Sequence, residues 1–173
     1  MENQGKSPSL FKHLRDILIL PFTVTVIVPY WIYTGEQGFI PGNWLVKGLG
    51  IVMMALGLLL FSLTVRLFAS KGRGTLAPWS PTQRLVVSGP YRYCRNPMIS
   101  GVLFILIGES LLLHSDHILI WAGIFLFINT VYFIFYEEPG LVKRFGEEYV
   151  AYKKEVPRWI PRFTRYKGRN TVG

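Results

Sequence analysis

Between Gly89 and Gly101 the chain reads GPYRYCRNPMISG, a basic aromatic loop that halts at Asn96-Pro97 before an apolar run begins. Asparagine is a preferred helix cap, and proline suits the first helical position, where its missing N–H is not needed. The spacing therefore predicts a helix that starts at Pro97 with the Asn96 side chain as its cap. The free N–H groups and positive dipole end of such a start attract anions, and Arg92 and Arg95 lie within one turn upstream. A carboxylate fits that chemistry. Farther along, Glu137-Glu138 offers paired acids that can accept from an ammonium. Loop and acids together suit a zwitterion, provided the fold brings them to one place. The plainer alternative is that the two acids only balance a basic tail.

The elements that must position these residues read as membrane helices. Half of the 173 residues are hydrophobic and 17% are charged, against about 25% in soluble domains. The expected class is all-α: one integral-membrane domain, 1–173, with about four spans near 17–34, 46–69, 97–113 and 118–136. The first run reads as a span and not as a cleavable signal. Pro21 and Pro29 are expected to kink it, and Tyr30, Trp31 and Tyr33 form an interfacial belt at its far end. Arg66 snorkels from the second span. His114-Ser115-Asp116-His117 makes a tight turn, so the third and fourth spans form a hairpin whose two ends, and therefore the loop and the acids, meet on one side. That turn reads as interfacial, with no metal. Glu109, in the third span, is an acid without an evident role.

Charge sets the orientation. Lys6, Lys12 and Arg15, five Lys or Arg from Lys71 to Arg95, and nine from Lys143 onward fall on one side; Lys47 alone falls opposite. By the positive-inside rule both termini and the long 71–96 loop are cytoplasmic. The net charge of +9 then points to the membrane surface and not to nucleic acid, of which no motif is present. In the C-terminal region, 137–173, Leu141, Phe145, Tyr149, Tyr152 and Val156 recur at helical spacing with charged residues between them, which predicts an amphipathic helix on the inner surface. Pro157 to Pro161 ends it, and Arg162 to Gly173 reads as a frayed tail. Cys94, the only cysteine, rules out an intramolecular disulfide and is expected to serve as a cytoplasmic thiol reporter.

LVVSGPYRYCRNPMISG followed by YEEPGLVKRFGEEYVAYKKEVPRWIP resembles the signature of the integral-membrane methyltransferases that include isoprenylcysteine carboxyl methyltransferases and phospholipid N-methyltransferases. The resemblance covers about Gln83 to Pro161; spans one and two match only as hydrophobic segments. It implies S-adenosylmethionine as methyl donor, held by Gln83, Arg84, Leu85, Val86, Tyr91, Asn96, Pro97, Met98, Ile99, Glu137 and Glu138, with Tyr91, Arg95 and Glu138 as the catalytic candidates. It implies a substrate that enters from the bilayer. Two positions depart from the carboxyl methyltransferases: Asn96 stands where they show histidine, and Phe133 where they show an arginine that would clamp a substrate carboxylate. The expected acceptor is accordingly a lipid or other amphiphile, at an amine first. The alternatives are a prenylcysteine carboxylate, a small thiol, or a non-catalytic scaffold that binds lipid.

Overall fold

Gly50 and Gly57 recur one heptad apart in one apolar run, Gly101 and Gly108 in another, and the two pairs meet. In the computed structural model, which describes residues 19–33, 35, 38–71, 85 and 87–167 (backbone alone at 68–71), these runs are α2 (Trp44–Lys71) and α3 (Pro97–Leu113). Gly50 lies against Gly108 and Gly57 against Gly101, so the helices are antiparallel. A Cβ on Gly57 would stand 2.6 Å from the Gly101 carbonyl oxygen, and one on Gly108 2.8 Å from that of Gly50. Small residues that let backbones touch replace the hydrophobic drive that lipid removes.

Helix α1 (Ile19–Ile32) carries a π turn, Thr23–Ile27, between its two prolines. There Thr23 and Thr25 donate to the carbonyls of Ile19 and Pro21, each at 2.8 Å, the back-bonding one turn upstream that often accompanies a bent helix. The expected proline disturbance is present as this change of helix period. Trp121 Nε1 donates to the Val24 carbonyl at 3.0 Å and ties α1 to α4 (Asp116–Tyr132).

Between α3 and α4 the predicted tight turn forms. His114 adopts a left-handed conformation (φ 52°, ψ 37°) that ends α3, as a C-terminal cap requires. Ser115 caps α4, its side chain accepting from the Ile118 N–H. Asp116 Oδ2 accepts from the Phe39 N–H at 2.8 Å, which fastens the preceding loop to the same end. Helix α4 continues through a π segment, Phe133–Glu137, into α5 (Glu138–Glu155). Inside α5, Gly146 (φ 53°, ψ −133°) bends the helix; sequence periodicity predicted no bend there.

The described residues are helical or irregular, without a strand. Two stretches, Trp44–Leu67 and Asp116–Glu155, are long and apolar enough to cross a membrane, while Ile19–Ile32 and Pro97–Leu113 are apolar but shorter. Val102, Leu106, Ala122 and Phe125 make the core between α3 and α4. Large apolar side chains also cover the outside: Leu20, Trp31 and Phe127 are each more than 60% exposed (67%, 82% and 69%). Surface of that kind suits lipid better than water.

Candidate functional site

Asn96 and Pro97 take the predicted cap and first-turn positions of α3, but the Asn96 side chain makes no capping bond. A later stretch of the chain crosses in front of this start. The Asn96 N–H donates to the Arg158 carbonyl (3.3 Å), and its carbonyl accepts from the Ser100 N–H (3.1 Å). Arg95 N–H donates to the Pro157 carbonyl (2.9 Å), Arg162 N–H to the Tyr93 carbonyl (3.0 Å) and Tyr166 N–H to the Arg92 carbonyl (3.1 Å). The segment 157–166 is therefore a strap laid across the 3-10 turn Gly89–Arg92 and the loop that follows it. This corrects the frayed tail: as far as Tyr166, which is buried, the tail is docked.

The strap also hides Cys94, which is 2% exposed with its sulfur 3.0 Å from the Arg158 carbonyl. Burial pushes that thiol up, against smaller lowering contributions from the Asn96 backbone, Ser100 and Arg95. Cys94 is thus a poor thiol reporter, contrary to expectation. Beside it, the Tyr152 hydroxyl donates to the Tyr91 carbonyl at 2.6 Å. Burial first, and Cys94 second, hold the Tyr91 phenol far above its ordinary value.

Helix α5 turns its apolar face inward. Tyr149, Tyr152, Val156 and Tyr166 form a buried cluster, with Leu85, Val87, Leu141, Val142 and Phe145 against it. The face expected to lie on the inner membrane surface is covered by the protein's own chain, because the strap and the residues before the 3-10 turn supply the apolar partner.

The hairpin ends do meet. Glu138, 2% exposed, accepts from three cations: Arg95 Nη1 at 2.7 Å, Arg158 Nη2 at 2.7 Å and Lys153 Nζ at 2.6 Å. Burial alone would raise its carboxyl, but hydrogen bonds from Lys153 and Arg158, with the charges of Arg95 and Arg158, outweigh it and hold the group below the usual carboxylate range. Glu137 faces another way: its Oε2 is 3.4 Å from the Tyr132 hydroxyl, and among the described residues it has no ion pair within 4.0 Å. Two buried donors of the loop lack a described partner, Ser88 Oγ and Arg95 Nε. Met98 and Ile99 occupy the first turn of α3, half-buried. Gln83, Arg84 and Val86 lie outside the described residues, as do Lys6, Lys12 and Arg15. Two pockets, of ≈ 370 Å³ and ≈ 220 Å³, lie elsewhere, and no loop residue lines them.

The phospholipid methyltransferase family matches residues 45–148, more than half of the chain. The chain belongs to this family. It is 31% identical over 169 residues to a protein-S-isoprenylcysteine O-methyltransferase of Rattus norvegicus, covering 92% of this chain and 57% of the relative. It is 27% identical over 145 residues to protein-S-isoprenylcysteine O-methyltransferase B of Arabidopsis thaliana, covering 81% and 73%. An uncharacterized protein of Haemophilus influenzae is 37% identical over 65 residues, 36% of this chain and the whole of that protein. The chain thus spans a little over half the length of the rat relative. No solved structure gives a significant match.

Within the family frame, Phe133 packs edge-on against Trp159 of the strap (5.7 Å, 89°) and against Tyr132 (5.8 Å, 83°). No cation stands at that position; among the described residues the cations paired with these acids are Arg95, Lys153 and Arg158, all three on Glu138. Sequence reading missed Arg158 and Lys153 as members of this cluster. The signal was the spacing of Arg158 behind Pro157, which turns the chain back over the loop.

Proposed function

We propose that this protein transfers a methyl group from S-adenosylmethionine to a lipophilic acceptor held in the membrane, from a four-span fold with both termini and the α3 start on the cytoplasmic side. The observation that carries the reading is the convergence of the α3 start, the 3-10 turn and the two acids at one end of the α3 and α4 hairpin, with Arg95 touching Glu138. Charge asymmetry and the apolar outer faces support the topology.

The residues fit the donor. Among the described residues Ser88 Oγ and Arg95 Nε are buried donors without an acceptor, which a carboxylate would supply; an unmade bond of this kind costs about 1–3 kcal/mol. Glu137, not committed to a described cation, would take the ammonium, and the first turn of α3 at Met98 and Ile99 the apolar part. When bound, S-adenosylmethionine supplies a methyl carbon on a sulfonium, open to in-line displacement without a metal. This chain's part is to align the acceptor, exclude water and hold charge at the hairpin end. Glu138, satisfied by three cations, positions Arg95 and is a weak proton acceptor. Tyr91, held far above its ordinary value, keeps its proton. With Glu137 on the ammonium, no described carboxylate of this cluster is left to take a proton from an amine, whereas a carboxylate acceptor needs no base.

Acceptor choice follows the relatives: their names favour a prenylcysteine-type carboxylate over the amine first expected from the sequence. The amine remains as a second reading on one observation, the aromatic contact of Phe133 with Trp159, which leaves no clamp at that position. Purified protein with labelled S-adenosylmethionine is offered a farnesylcysteine analogue and an ethanolamine lipid side by side. Base-labile methyl ester on the former supports the first reading, and label on the lipid amine alone the second. Label on neither, with no donor bound, contradicts the methyltransferase assignment.

A further inference from the structure

Helix α3 presents Gly108 to α2, close enough that a Cβ would meet the Gly50 carbonyl. The next residue, one-third of a turn round, is thereby turned toward α1. That residue is Glu109. It lines the ≈ 370 Å³ pocket with Thr25 and Tyr30 of α1, Tyr33 just past the end of α1, Met54 of α2 and Leu113 of α3. Its Oε2 is buried and has no hydrogen-bond partner among the described residues. The nearby hydroxyl of Thr25 is already given to the Pro21 carbonyl. Arg66 lies exposed toward the other end of α2 and forms no ion pair with Glu109. A carboxylate in an apolar wall, without a counter-charge among the described residues and beside two tyrosine rings, has the composition of an organic-cation site: charge from the acid, cation–π attraction from the rings, and dispersion from the rest.

We propose that this pocket holds the ammonium headgroup of a lipid from the leaflet opposite the proposed methyl-transfer end. The proposal rests on the membrane-spanning reading but not on the chemistry at the other end of α3. Twelve residues separate Pro97 from Glu109, roughly 18 Å of helix, so a headgroup held here is not the group that is methylated. The aromatic residues of α1 support the depth: Tyr30 and Trp31, 81% and 82% exposed, belong at a membrane interface. The acyl chains would run toward the midplane, past Val26 and Met54 on the deeper side of the pocket. One lipid so placed would fix α1 to the α2 and α3 pair, where Glu109 Oε2 otherwise has no hydrogen-bond partner among the described residues.

The test uses the full chain in detergent, without methyl donor, and two lipids with identical acyl-chain fluorophores, one with an ethanolamine and one with a glycerol headgroup. The parent protein should bind the ethanolamine lipid at least tenfold more tightly. Glu109→Gln, which keeps shape and removes charge, should abolish that preference. Leu113→Trp should do the same by filling the pocket, and because Leu113 is 42% exposed it spares the packed core. Equal binding of the two lipids by the parent, or a preference that survives both variants, overturns the proposal. Binding of S-adenosylmethionine by the same preparations reports separately on the methyl-transfer reading. A lipid preference without donor binding contradicts that reading alone, and donor binding without a lipid preference contradicts this one alone.

Discussion

Glu138 is where one residue decides most. It is the shared acceptor of Arg95, Lys153 and Arg158, and each of those cations belongs to a different piece of the hairpin end: loop, α5 and strap. Glu138→Gln leaves the cations without their charge partner, and breaking a buried pair in this way costs roughly 3–5 kcal/mol, so a fall in the thermal midpoint of well over five degrees is expected for a chain of this size. Because the folded state holds this carboxyl below its ordinary value of 4.5, its contribution is present above that pH and is lost as pH falls through the lower folded-state value. Thermal midpoints of the parent should therefore decline in acid below about pH 4.5, while Glu138→Gln shows a shallower acid decline; parallel curves would assign the acid sensitivity to other groups. The sequence made the meeting of loop and acids legible, since a hairpin with a short turn returns its ends to one side. Which of the two glutamates meets the cations was not legible. The π segment Phe133–Glu137 inserts a change of period just before them, and a count at 3.6 residues per turn cannot assign a face across it.

At the scale of elements, glycine sets two of the geometries. The seam between α2 and α3 needs bare backbone at Gly57 and Gly101, so Gly57→Leu forces the helices apart; overpacking of this kind costs about 1–3 kcal/mol. Gly48, with nothing within 4 Å, is the matched control, and Gly48→Leu should leave the unfolding midpoint nearly unchanged. Equal losses from both would deny the seam. In α5, Gly146 has a backbone conformation that L side chains rarely adopt (φ 53°). Gly146→Ala should cost about 1–3 kcal/mol through strain alone, with Gly140→Ala as the neutral comparison. Helix existence was readable from apolar runs and the Asn-Pro start. The inward direction of the α5 apolar face was not, because an amphipathic stripe says only that it needs a cover. Periodicity does not distinguish a membrane surface from Tyr166 and Val87 arriving out of distant parts of the chain.

For the molecule as a whole, the strap closes the end at which the proposed chemistry resides. Its backbone bonds to Arg92, Tyr93, Arg95 and Asn96 link the chain's last described segment to the start of α3. Truncation after Glu155 should therefore expose Cys94, now 2% accessible, and maleimide labelling should rise from slow to rapid; unchanged labelling would mean the strap does not cover the thiol. The same end carries the claim that matters most, that this hairpin mouth binds the methyl donor. Calorimetric titration of S-adenosylmethionine into the parent, Glu137→Gln and Glu147→Gln tests it, each first shown to elute as a folded, monodisperse species. Glu137→Gln loses a charge-assisted bond to the ammonium worth roughly 1.5–3 kcal/mol, or about tenfold to a hundredfold in affinity. Glu147→Gln makes the same charge change on an exposed position, where little is at stake. The expected result is weakened binding for Glu137→Gln and parental binding for Glu147→Gln; three equal affinities, or a parent that binds no S-adenosylmethionine, would contradict it.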